Sequence, residues 1–155
     1  MGDEPLPSIE YEGVHCSLAI RRPAPGVAVV ALSGSDIGEF GDLPMRELQK
    51  DLARFNTIEL FIDARAVRGA SLEVSGEWAL WMRAHRASFK RINMLTGSRY
   101  IQITAAFVRR FAGLADLMNV FTEHVAFDAS LTDSVRQARG SLNECSGRNL
   151  SNERR

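Results

Sequence analysis

The sequence carries no excess of either charge. Lys+Arg and Asp+Glu are both 19 in 155 residues, so the formal net charge is zero. Proteins that work on nucleic acid or on a membrane surface usually carry a basic excess, and its absence argues against either as a dominant role. A local arginine patch stays compatible with that balance, because Lys50 and Lys90 are the only lysines. Cysteine is scarce. Cys16 and Cys145 lie near opposite ends with no CxxC spacing, which supports neither a zinc site nor a disulfide framework. Two free thiols fit a reducing compartment. Residues 1–8 are acidic and Pro-containing and lack the apolar segment of a signal peptide, so the expected location is the cytoplasm. No apolar run approaches the roughly 20 residues of a membrane helix. The three histidines, His15, His85 and His124, show no metal-binding spacing. There is no P-loop and no GxGxxG after a strand, and the acidic loop around Gly34, Gly38 and Gly41 would repel phosphate. No cofactor and no metal are expected.

What is present is enough for one core. Hydrophobic residues make up 45% of the chain and charged residues 25%, ordinary globular values. Residues 1–8 and 146–155 read as disordered tails around a single domain at 9–145. Inside it, residues 14–21 have strand character and 23–26 make a turn. Residues 27–32, VAVVAL, form a continuous apolar run, which suits a strand covered on both faces. Pro44 opens a helix whose stripe is Met45, Leu48, Leu52 and Phe55. Residues 57–63 read as a third strand and 71–89 as a long helix, with Leu72, Trp78, Trp81, Met82 and His85 near one face. A strand at 92–96 precedes a helix at 100–111 with Ile103, Phe107 and Phe111 on one side. A strand within 120–127 and a helix at 131–142 close the chain. The order ββαβαβαβα implies a mixed, mostly parallel five-stranded sheet covered by about four helices.

That order, with these joints, resembles the STAS family, the fold of bacterial anti-sigma-factor antagonists. VVALSGSDIGEF (29–40) resembles the family's second strand and its Gly-acid loop, and ELQKDLARF (47–55) its first helix. IELFIDARAVRG (58–69) and INMLTGS (92–98) resemble its third and fourth strands, and residues 109–138 its closing segment. The resemblance implies a non-enzymatic, switchable module that binds another protein, such as an anti-sigma-type kinase. In the antagonists a serine at the start of the second helix is phosphorylated. Phosphate there adds charge and acceptors where the partner docks. This chain departs from that motif: Ser71 falls where the family has Asp, and Leu72 where it has the phosphoserine. Ser71 and Ser75 are therefore the candidate phosphorylation sites, and Glu73 is a candidate fixed charge. The loop Gly34-Ser35-Asp36 is one residue shorter to its acid than the family's usual spacing, which places the chain among the divergent antagonist-like relatives. The expected partner surface is Ser71, Glu73, Ser75, Glu77 and Trp78.

Plainer readings compete at each position. Ser71 is placed to cap a helix, a role worth about 1 kcal/mol. Asp36 and Asp63 follow strands, where open α/β sheets bind ligands, and each can instead bind loop amides. Trp78, Trp81 and Met82 share a helical stripe that suits a core, while an exposed Trp would suit a binding hot spot. Three other functions remain open. One is a small-molecule or lipid pocket lined by Trp81, Tyr100 and Phe107. Another is a hydrolase built from Asp63, Ser71 and His85. The third is a homodimer through the edge strand 14–21 or the Trp-bearing helix.

Overall fold

The computed structural model describes the backbone of residues 6–152 and the side chains of 6–141. Six strands form one sheet in chain order: β1 (Ile9–Glu12), β2 (Cys16–Ala24), β3 (Val27–Asp36), β4 (Ile58–Ala70), β5 (Phe89–Thr96) and β6 (Met118–Phe121). The first two pairings are antiparallel and the other three parallel. The expected sheet had five strands. The added one is β1, IEYE, four residues with only Ile9 partly covered, and too short and polar to stand out in sequence. It pairs along β2 from Ile9–Ile20 to Glu12–Ser17, so the strand expected at the edge is internal.

Helices α1 (Leu43–Arg54), α2 (Leu72–Ala84) and α3 (Arg99–Phe111) cover one face, and α4 (His124–Asn152) covers the other. Strand alternation produces this division. Along β4, Ile58, Leu60 and Ile62 point into the three-helix side. Phe61 points the other way, edge-on to Phe127 of α4 at 5.7 Å. Val27, Ala28, Val29 and Val30 of β3 are all buried, as a strand covered on both faces requires.

Several boundaries differ from the expectation, and β3 and β4 run on past 32 and 63 to Asp36 and Ala70. The long helix at 71–89 ends at Ala84, and a 3-10 turn at Arg86–Ser88 leads into β5. Phe89 must reach the sheet, where its ring packs 5.6 Å from Trp81. The last strand ends at Phe121, and α4 starts seven residues before the helix expected at 131. The backbone of α4 runs through 146–152, read from sequence as a tail. The other parts of the expected tails, 1–5 and 153–155, lie outside the described residues.

One buried charge ties the antiparallel side together. Arg22 of β2 is 6% exposed. Its guanidinium donates to both Asp51 carboxylate oxygens at 3.0–3.3 Å, to the Glu47 carboxylate at 3.3 Å and to the Glu47 carbonyl at 3.1 Å. It also donates to the Pro7 carbonyl at 2.8 Å, which holds the approach to β1. Removing one partner of such a pair strands the other charge in the core. Asp51→Ala is expected to lower the unfolding free energy by about 3–5 kcal/mol in urea titration. Asp42→Ala, which removes an exposed pair with Arg46, is expected to cost no more than about 1 kcal/mol. Equal losses would mean that water reaches Arg22 in solution.

Candidate functional site

The start of α2 is fixed from two sides. Ser71 is its N-cap: the side chain accepts from Val74 N–H at 3.2 Å. The Ser71 N–H donates to the Asp36 carbonyl at 2.9 Å, which pins the end of β3 beside the helix. The Asp36 carboxylate accepts from Gly38 N–H at 3.1 Å and turns the acidic loop back. Glu73 in the first turn complements the helix dipole.

The five residues expected at the partner surface separate into two groups. Glu73 and Glu77 are exposed and Ser71 is half-buried. Trp78 is 8% exposed and Ser75 is buried, its hydroxyl donating to the Ser71 carbonyl at 3.0 Å. The expectation for Trp78 and Ser75 as surface residues is therefore corrected. The helix seats itself on the sheet through Val74, Trp78 and Met82, spaced four apart, with Trp78 edge-on to Trp81 at 6.1 Å. Its outward apolar residues are Leu72, 84% exposed, and Leu80, which the sequence reading did not select for this surface. Leu80 lies opposite the buried stripe, a signal that helical periodicity contains.

The other candidate arrangements do not assemble. Asp63 is not at a strand end, since β4 continues to Ala70. It pairs with Ala31, whereas Asp36 pairs with Ala70, seven residues further along. At about 3.3 Å per residue the two carboxylates are on the order of 20 Å apart. Asp63 instead accepts from Arg65 at 3.0 Å, and Arg65 donates on to Asp128 of α4 at 2.9 Å. Among the described residues no group of three His, Cys, Asp or Glu could hold a metal. Ser71 and His85 are the two caps of α2, roughly 20 Å apart at 1.5 Å per residue, so no Ser–His–Asp constellation forms from them.

A cavity between the sheet, α2 and α3 is apolar and small, about 80 Å³, with Ile62, Val74, Trp78, Met94, Ile101 and Val108 in its wall. Drug-sized ligands need roughly 300 Å³ or more. The expected lining of Trp81, Tyr100 and Phe107 is absent from it. Tyr100 and Phe107 face outward with Ile103 and Phe111, and α3 packs through Ile101, Ala105 and Val108 instead. The smaller stripe wins where the joint is tight. A Cβ on Gly97, just before α3, would collide with the Arg65 backbone.

On the antiparallel side, the Glu39 carboxylate accepts from the N–H groups of Val14 at 2.7 Å and His15 at 2.6 Å. It stands 3.9 Å from the Cys16 thiol. Burial, then the charges of Asp36 and Glu39, push that thiol up to about 11. The thiolate is therefore almost absent at neutral pH.

No protein-family model matches the sequence, and neither does any curated protein. Among solved structures, the chain is similar to an uncharacterized protein of the DUF3478 family with a SpoIIAA-like fold, from Shewanella loihica PV-4. The match has 17% identity and a TM-score of 0.56, and covers 78% of this chain and 98% of that one. The chain thus has a SpoIIAA-like fold, consistent with the fold that the sequence resemblance implied.

Two outcomes follow for this region. In a Cys145→Ser variant, Cys16 should react with a maleimide near neutral pH at about one hundredth of its rate in denaturant or less. Equal rates would mean that the Glu39 cradle opens in solution. Ser71→Ala should lower stability by about 1 kcal/mol in thermal or urea unfolding, through loss of the cap alone.

Proposed function

We propose that this chain is a non-enzymatic regulatory module that binds another protein on the outward face of α2, with Ser71 as its switch. The observation that carries the reading is Leu72: a large apolar side chain, 84% exposed, standing between the capping Ser71 and the exposed carboxylate of Glu73. With Glu77 and Leu80 further along the helix, this makes an apolar contact with a charged rim, the usual composition of a transient interface. The SpoIIAA-like fold supports the reading as a likeness of scaffold.

Ser71 suits phosphorylation better than Ser75, because a buried hydroxyl already donating to a carbonyl is closed to a kinase. Transfer of the γ-phosphoryl of ATP to Ser71 Oγ would release ADP and the hydroxyl proton. It would place nearly two negative charges beside Glu73, at the point of docking. Partner binding should weaken by tenfold or more in consequence, about 1.4 kcal/mol.

The test is affinity capture from lysate of the source organism. Wild type is compared with Leu72→Asp plus Glu73→Lys, both at exposed positions, and with Ser71→Glu. One stoichiometric protein should be retained by wild type and lost by both variants, while circular dichroism stays unchanged. The same proteins on all three baits would end the α2 proposal. Mass spectrometry of the chain after incubation with lysate and ATP should find phosphate on Ser71 and none on Ser75.

A further inference from the structure

The outward crest of α3 is unusual in both its apolar and its charged residues. Tyr100, Ile103, Phe107 and Phe111 recur at helical spacing and are 52%, 64%, 53% and 47% exposed. Phe107 and Phe111 stack on each other at 5.7 Å. Their exposed area is roughly 400 Å², about half of four side chains of this size, which falls within the range of functional patches on monomers. The row is about 16 Å long.

Every charged residue from Gly97 to Ala115 is an arginine: Arg99, Arg109 and Arg110. Arg109 leans back to the Ala115 carbonyl at 3.1 Å. Arg99 and Arg110 are exposed and have no carboxylate partner among the described residues. At 100° per residue, Arg99 and Arg110 lie within about 20° of each other, on the flank next to Ile103. Zero net charge over the whole chain conceals a helix whose charged side chains are all positive.

We infer that the aromatic, arginine-flanked crest of α3 docks on an anionic lipid surface. An amphipathic helix binds the interface plane by sinking apolar and aromatic side chains between headgroups while arginines meet the lipid charge. The crest is the outward side of a single helix, with Ile101, Ala105 and Val108 turned inward. A fluid surface conforms to a convex row. Pairing α3 with α3 of a second copy is disfavoured by charge, because it sets arginine against arginine with no acid on either helix. The crest meets the start of α2 only at Tyr100, whose hydroxyl donates to the Ala70 carbonyl at 3.2 Å, and its binding stands whether or not the α2 face binds a protein.

The experiment is co-sedimentation of the full chain with vesicles of phosphatidylcholine containing about one third phosphatidylglycerol, against phosphatidylcholine alone. Binding is expected to the anionic vesicles only, and to fall at least tenfold when ionic strength rises from about 0.05 to 0.5 M. Arg110→Glu should weaken it roughly thirtyfold, since it changes two unit charges at the surface. Phe107→Asp should weaken it at least as much, and both variants should keep the wild-type circular dichroism and melting temperature. Four results would overturn the inference. They are no binding at low salt, equal binding to neutral vesicles, variants that bind like wild type, or a dimer in light scattering that Phe107→Asp dissolves.

Discussion

The three central strands β3, β4 and β5 run parallel, and a parallel sheet is stable only with both faces covered. Everything else in the molecule answers to that requirement. Crossover helices α1, α2 and α3 cover one face as a by-product of joining the strands. The second face has no crossover to cover it, and α4 alone must do so. Its position is held by polar contacts as well as by Phe127. Glu59 of β4 is buried, and one carboxylate oxygen accepts from Asn93 at 3.2 Å and from Ser134 of α4 at 2.9 Å. Arg65 reaches Asp128 near the start of the helix, and Arg139 donates to the Pro23 carbonyl at 3.0 Å near its middle. Such contacts fix register, which apolar burial alone leaves free to slide.

The same requirement places the start of α2. Because β3 runs on to Asp36 and β4 to Ala70, the chain leaves the sheet with a backbone carbonyl already aimed at Ser71. The helix then returns over β4 and β5, with Val74, Trp78 and Met82 inward. Whatever lies opposite that stripe faces solvent with no duty in the core packing. Leu72, Glu73, Glu77 and Leu80 are therefore cheap to vary and open to selection for binding, while Trp78 is not.

Legibility followed the range of the interactions. The doubly covered strand 27–32 and the cap at Ser71 were readable because burial on both faces and capping leave local marks in a sequence. The Arg22 cluster was not, since a charged residue before Pro23 looks like the edge of a turn until Asp51 and Glu47 are brought to it from α1. Strand β1 depends on a carbonyl at Pro7 being held from outside it. The face of α3 was misread because the helix has two apolar stripes. The heavier one, Tyr100–Ile103–Phe107–Phe111, suggests a core by size, yet the lighter one, Ile101–Ala105–Val108, is what fits against α2 and the sheet. For Trp78 the difficulty was similar: WALWM is apolar nearly all round, and periodicity cannot rank its sides without knowing where the sheet lies.

The helical layer is electrically divided in a way that composition cannot report. Glu73 and Glu77 face outward on α2, and Arg99 and Arg110 on α3. Packed helices are about 8–10 Å apart, and exposed charges are screened over about 8 Å at physiological ionic strength. Each helix therefore presents its own field to an approaching surface, rather than the zero sum of the two. A phosphate on Ser71 would add to the acidic field at the start of α2 and be largely screened along most of α3. Two neighbouring faces of opposite sign can in this way be set independently on a scaffold whose core packing neither of them disturbs.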